Sequence, residues 1–254
     1  TVKSVEIPEG VKMIGDSAFK DCEKLERIEL PESMEQVDQY AFEGCRGVSH
    51  LKIKSPNCIY DQSFGSFPGL GEKADNLTVE FGEKVTEIPR LIRMGGNVKH
   101  VKFDGEVEKI GSSVFDGWSN IEEIEIPESV KEIGDWAFAG CVKLSSITLG
   151  ENITKIGYNA FAGCSGLKKV MMNARLENEQ QAFWNAGTEG IDVVYGKGIT
   201  KIGSLFTKST VRSIEIPEGV KTIGDSAFAD CEKLERIELP ESMEQVGQYA
   251  FEGC

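Results

Sequence analysis

The chain has 254 residues, of which 40% are hydrophobic, enough to build a sizeable core. Its 28 Lys and Arg against 42 Asp and Glu give a formal charge of −14, which opposes phosphate backbones and anionic headgroups, so neither nucleic acid nor a membrane surface is an expected partner. No stretch approaches the roughly 18 consecutive apolar residues of a membrane-spanning helix, and Thr1 opens directly into a repeat with no charged-then-apolar leader.

Turn one starts at Val2 and turn two at Leu25, and residues 25–45, LERIELPESMEQVDQYAFEGC, are the template for most of the chain. Counted from Leu25, apolar side chains stand at +3, +5, +9, +12, +16 and +17 (Ile28, Leu30, Met34, Val37, Ala41, Phe42), with Cys45 at +20 and a restart after 23 residues. A fixed period of that size predicts a solenoid, in which each turn buries its apolar positions against its neighbours. Residues 1–254 are therefore expected to form one solenoid of about eleven turns. Apolar +3 and +5 between polar +2 and +4 is the alternation of a strand with one buried face. Proline at +6 (Pro8, Pro31, Pro127, Pro217, Pro240) ends the strand, having no N–H for the ladder.

In the second half of each turn, Gly at +13 (Gly15, Gly134, Gly157, Gly224) fits a position needing positive φ, and Asp38 is a tolerated replacement there. The following D-x-A-F-x-x-C is expected to form a single helical or 3₁₀ turn that packs Phe inward. Turn three diverges after Ile53 into a segment rich in Gly, Pro and Phe, which predicts an inserted functional loop around Tyr60, Phe64 and Phe67. The irregular turns lie near 48–97 and 167–210; turn five has Trp118 where Cys would stand. Turns ten and eleven nearly copy turns one and two, so whole turns are exchangeable units. Because Val2 starts a turn and Cys254 ends one at a core position, with no polar capping element, the chain is expected to be a fragment of a longer protein.

Six of the seven cysteines (Cys22, Cys45, Cys141, Cys164, Cys231, Cys254) share the +20 offset, which predicts reduced, buried thiols stacked turn on turn. Zinc is not expected, since metal-binding cysteines converge locally. Cys58, at +10, has no assigned role. The pattern L-x-x-I-x-L-P-x-x-V-x-x-I-G-x-x-A-F-x-x-C, as in residues 121–141, IEEIEIPESVKEIGDWAFAGC, resembles the BspA-like class of leucine-rich repeat proteins. The resemblance implies a right-handed parallel-sheet solenoid with short helical or 3₁₀ turns opposite the sheet, on the surface of or secreted by host-associated bacteria, with adhesins for host matrix proteins among its members. It carries no catalytic residues.

The residues themselves offer no catalytic constellation, and an enzyme is not expected. His50 and His100 both stand at +2 of their strands, two turns and ~10 Å apart. The Glu repeated at +7 (Glu9, Glu32, Glu83, Glu128, Glu151, Glu218, Glu241) falls short of the oxygen count calcium needs, so calcium and other cofactors are not expected. The leading expectation is a binding module that displays its strand face to host or matrix proteins. The alternatives are a structural spacer or a carbohydrate-binding module. The outward strand columns of the middle turns hold His50, Lys52, His100, Lys102, Lys169, Met171 and Val194, a basic and partly apolar strip with Tyr60, Phe64 and Phe67 at its edge, and these are the candidate partner-binding residues.

Overall fold

Side chains one repeat apart must present the same face to the core, so the alternating segments can only stack in parallel and in register. The structure is a computed structural model that describes residues 2–60, 65–91, 97–177 and 180–254. Strands Arg27–Leu30, His50–Ile53, Leu77–Phe81 and Val98–Phe103 pair in that order, and Ser146–Leu149, Lys169–Met172, Ile191–Tyr195 and Val211–Glu215 form a second parallel set. Their +3 and +5 side chains, such as Ile28, Leu30, Val79, Phe81, Ile147 and Leu149, are buried.

A second column of two-residue strands ends in the +12 side chain, as in Gln36–Val37, Ile59–Tyr60, Lys109–Ile110, Glu132–Ile133 and Lys155–Ile156. The expected parallel solenoid is thus present, but its strands lie in two columns, each interrupted, in place of one continuous sheet. The long-strand column breaks at turn six, where residues 121–127 form no strand. Proline supplies a reason. In several turns without it, the +6 amide donates to the +5 carbonyl of the preceding turn: Lys54 to Leu30 at 3.1 Å, Gly82 to Ile53 at 2.8 Å, Asp104 to Phe81 at 2.8 Å, Asn173 to Leu149 at 2.9 Å. Gly150 of turn seven makes no such bond to Ile126, so proline accounts for the lost rung toward turn five and not for the one toward turn seven. Pro127 has no such donor, and the same rung is lost at Pro31 and Pro240.

The third side of the turn, D-x-A-F-x-x-C, holds no helical or 3₁₀ turn, and no α-helix occurs among the described residues. Its amides split between two jobs. Ala41, Glu43 and Cys45 donate back to Asp38, Tyr40 and Phe42, whereas Tyr40, Phe42 and Gly44 donate across to Gly65, Ser66 and Pro68 of the next turn at 2.9, 2.9 and 3.0 Å. Every second amide is committed to the neighbouring turn, so a continuous helical ladder cannot form. Positive φ falls at +15 and +19, at Tyr40, Trp136, Asn159, Gly44 and Gly140, not at +13 as expected. The +13 glycines have a different cause: a Cβ on Gly134 would lie 2.6 Å from Ser112 N, and one on Gly157 2.3 Å from Asp135 N. They let neighbouring backbones approach.

Phenylalanine fills the interior as a stack. Phe19, Phe42 and Phe67 follow at 5.1 and 5.4 Å between ring centroids, and Phe115, Phe138, Phe161, Phe183 and Phe206 at 5.0, 5.1, 4.8 and 4.6 Å. Trp118 takes the cysteine place and meets Phe115 edge-on at 4.9 Å. All seven cysteines are free thiols; of the +20 set, Cys45, Cys141, Cys164 and Cys231 are buried, whereas Cys22 is half-buried and Cys254 exposed. Each buried one donates to the Phe carbonyl of the turn before, Cys45 to Phe19 at 3.1 Å and Cys164 to Phe138 at 3.1 Å.

Candidate functional site

Alternation leaves the +2 and +4 side chains on the outer face, and register fixes their neighbours. Arg27, His50, Thr78 and His100 form one row; Glu29, Lys52, Glu80 and Lys102 form the next. Lys52 Nζ contacts Glu80 and lies 2.6 Å from Asp104 Oδ2. These hydrogen bonds, Asp104 first, raise the Lys52 pKa, and Lys52 in turn holds the Asp104 carboxyl below its ordinary value. His50 Nε2 sits 3.1 Å from Glu80 Oε2 without hydrogen-bond geometry. Burial, followed by the nearby Arg27, lowers its pKa, so His50 is neutral at pH 7. The expected basic strip is therefore internally neutralised at Lys52. His100 and Lys102 remain exposed.

Lys169, Met171 and Val194 belong to the other sheet. Lys169 stands opposite Asp192 and Met171 opposite Val194, with Lys169 exposed and the two apolar side chains half-buried. Arg212 Nε and Ser213 Oγ donate to Asp192 at 3.1 and 2.6 Å. Turn six separates the two groups, so the strip predicted from sequence is two clusters with Glu123 and Glu125 between them.

The aromatic edge of that strip needs correction. Tyr60 is 3% exposed and Phe67 1%; Tyr60 pairs in register with Val37, and Phe67 stacks on Phe42. Both are core residues of an ordinary turn lengthened on either side of Phe67, and neither presents a surface. Phe64 lies outside the described residues. The signal that identifies them was present: Ser66-Phe67 repeats Ala41-Phe42, and Leu70 stands where Cys45 does, buried. Buried Cys58 precedes this strand, and burial raises its thiol to about 11.

Sequence reasoning also missed what the regular acidic residues do. Glu9 accepts from the amides of Glu32 and Ser33 in the next turn at 3.2 and 3.3 Å, as Glu218 does from Glu241 and Ser242. Asp135 likewise accepts from Tyr158 N at 2.8 Å. These carboxylates tie turns together. Among the described residues no group of three or more His, Cys, Asp or Glu is placed to hold a metal, and no helix is long and apolar enough to cross a membrane.

Among solved structures, a leucine-rich repeat protein from Eubacterium ventriosum is 17% identical over 99% of this chain and 82% of its own, with a TM-score of 0.48. A leucine rich cell surface protein from Faecalibacterium prausnitzii is 20% identical over 100% and 77%, TM-score 0.32, and the pneumococcal vaccine antigen PcpA 18% over 97% and 62%, TM-score 0.40. No curated protein matches the sequence. The family model of the BspA type leucine rich repeat region matches in six copies, over residues 1–91, 86–205 and 200–254. With the whole chain matched and the parallel turns built as that repeat requires, this protein belongs to the BspA-type leucine-rich repeat family.

Proposed function

We propose that the chain is a non-catalytic, extracellular or cell-surface scaffold that binds host or matrix proteins through its strand face. The observation that carries this reading is the register of the outer face: two sets of four strands each align their +2 and +4 side chains in rows, an extended polar surface of the kind solenoids use for macromolecules. Membership of the family supports the surface location. Among the described residues of the face, His100, Lys102 and Lys169 are exposed basic groups, whereas Arg27, Arg212 and Arg236 pair with Glu29, Asp192 and Glu238.

The test is binding of purified matrix proteins to immobilised chain, with a His100→Glu, Lys102→Glu, Lys169→Glu variant and a control Lys143→Glu. Binding that weakens about tenfold in the face variant, grows weaker with salt and survives in the control supports the reading. Equal binding by all three, or none by the wild type, contradicts it. One observation favours a carbohydrate-binding module as second reading: Trp136, Tyr158 and Trp184 are exposed in turns six to eight, on the turn side and not the strand face, with Trp136 edge-on to Tyr158 at 6.0 Å.

A further inference from the structure

Turn six is held on two of its three sides and open on the third. Glu132 and Ile133 pair with Lys109 and Ile110 before them and with Lys155 and Ile156 after them. On the turn side, Phe115 N donates to Ala137 O at 2.8 Å and Phe138 N to Ala160 O at 2.7 Å. On the strand side, Ser145 N to Glu122 O at 3.0 Å and Ile121 N to Trp118 O at 3.4 Å are the backbone bonds among the described residues that join the 121–127 segment to neighbouring turns. The amides and carbonyls of residues 123–126 reach neither side, and strands Val98–Phe103 and Ser146–Leu149 face this segment as sheet edges.

A cleft of about 710 Å³ lies along the seventh-turn side of this segment. Glu123, Glu125, Glu128 and Glu151 line it, above the apolar Ile124 and Ile126, and no Lys, Arg or His does. Among the described residues Glu123, Glu125 and Glu128 form no ion pair; Glu151 meets Arg175 at 3.3 Å. The corresponding opening between turns one and two, about 310 Å³, differs in that it contains Arg27 and Lys54, and both pair with Glu29. There the chain supplies its own cations. At turn six no cation lines the opening, and Arg175 reaches Glu151 alone of its four glutamates.

We propose that the opening at turn six docks an extended segment of a partner protein carrying Lys or Arg, which pairs its backbone with residues 123–126 and sets its cations among Glu123, Glu125 and Glu128. Strand addition satisfies the unpaired amides and carbonyls, and side chains at every second position of the incoming strand reach the carboxylates. A second copy of this chain is a poor occupant, since its net charge of −14 repels the same carboxylates. The inference rests on the interaction-scaffold reading and moves its centre from the paired rows around Lys52 to turn six.

The probes are a short alternating Lys-Val peptide and a peptide of equal charge with Pro at every second position, titrated by fluorescence anisotropy. The variant is Glu123→Gln, Glu125→Gln, Glu128→Gln together. The Lys-Val peptide should bind wild type, and lose about tenfold or more in the triple variant. The Pro peptide, which cannot pair its backbone, should bind about tenfold or more weakly. Equal binding of both peptides, no loss in the triple variant, or no binding at all overturns the proposal, as does self-association that the triple variant abolishes. Matrix-protein binding that depends on Lys102 and Lys169 but not on these glutamates leaves the scaffold reading standing and removes turn six from it.

Discussion

Phe67 lies against Phe42 with ring centroids 5.4 Å apart and planes within 6°, so a residue from the most irregular turn extends the aromatic column begun by Phe19. Phe67→Ala should therefore cost about 3–5 kcal/mol, as for any fully buried Phe, measured by urea unfolding. A change within about 0.5 kcal/mol, as expected of a surface side chain, would contradict its place in the stack.

Gly157 and Gly15 occupy the same repeat position with different surroundings. Gly157→Ala forces a methyl to 2.3 Å from Asp135 N and should destabilise by about 1–3 kcal/mol. Nothing lies within 4 Å of a Cβ at Gly15, where φ is not positive, so Gly15→Ala should be neutral or stabilising by up to about 1 kcal/mol. Equal costs at the two sites would show that close approach between turns is not what selects glycine.

Burial raises the Cys45 and Cys164 thiols to about 12 and Cys231 to about 11, so at pH 8 roughly a thousandth or less of each is the reactive thiolate. Iodoacetamide on native protein should label Cys254 first and Cys22 next, leaving Cys45, Cys141, Cys164 and Cys231 unmodified until the chain unfolds. Mass spectrometry that finds the four labelled under native conditions, or a Cys22–Cys45 disulfide, contradicts the buried column.

Lys52 holds Asp104 below its ordinary carboxyl value of 3.8. A carboxyl depressed in the folded state contributes stability above its unfolded pKa and loses it as pH falls through the folded one. The stability gap between wild type and Asp104→Asn should accordingly be constant at neutral pH and shrink as pH falls below 3.8. A gap that stays the same down to acid pH would show that the Lys52–Asp104 contact contributes nothing through charge.

Much of the architecture was legible because period and alternation are strong signals: Ile28, Leu30, Val37 and Phe42 point inward as their spacing requires. Three things were not. The αL positions are set by how amides divide between a turn and its neighbour, so Trp136 and Tyr40 hold them despite their bulk, while the glycine of Gly134 and Gly157 recurs along the repeat for close packing. Phe67 was obscured by extra residues in turn three that displaced it from its template offset, whereas Tyr60 stands at the template +12, in register with Val37, amid residues that otherwise diverge from the repeat. The candidate face looked basic because a strand read alone shows Lys52 without Glu80 and Asp104, which only register and the turn beyond bring to it. The opening at turn six was not legible from Pro127, because the same proline stands in turn ten, where Val211–Glu215 still pairs with the strand before it.

The central claim is that the strand column opens at turn six while the turns around it stay closed, and amide hydrogen exchange reads it residue by residue. The account predicts that the amides of 123–126 exchange about a hundredfold or more faster than those of 147, 170 and 193 in the flanking strands, and that the Lys-Val peptide slows them. Protection of 123–126 equal to that of the flanking strands in the free protein would contradict it.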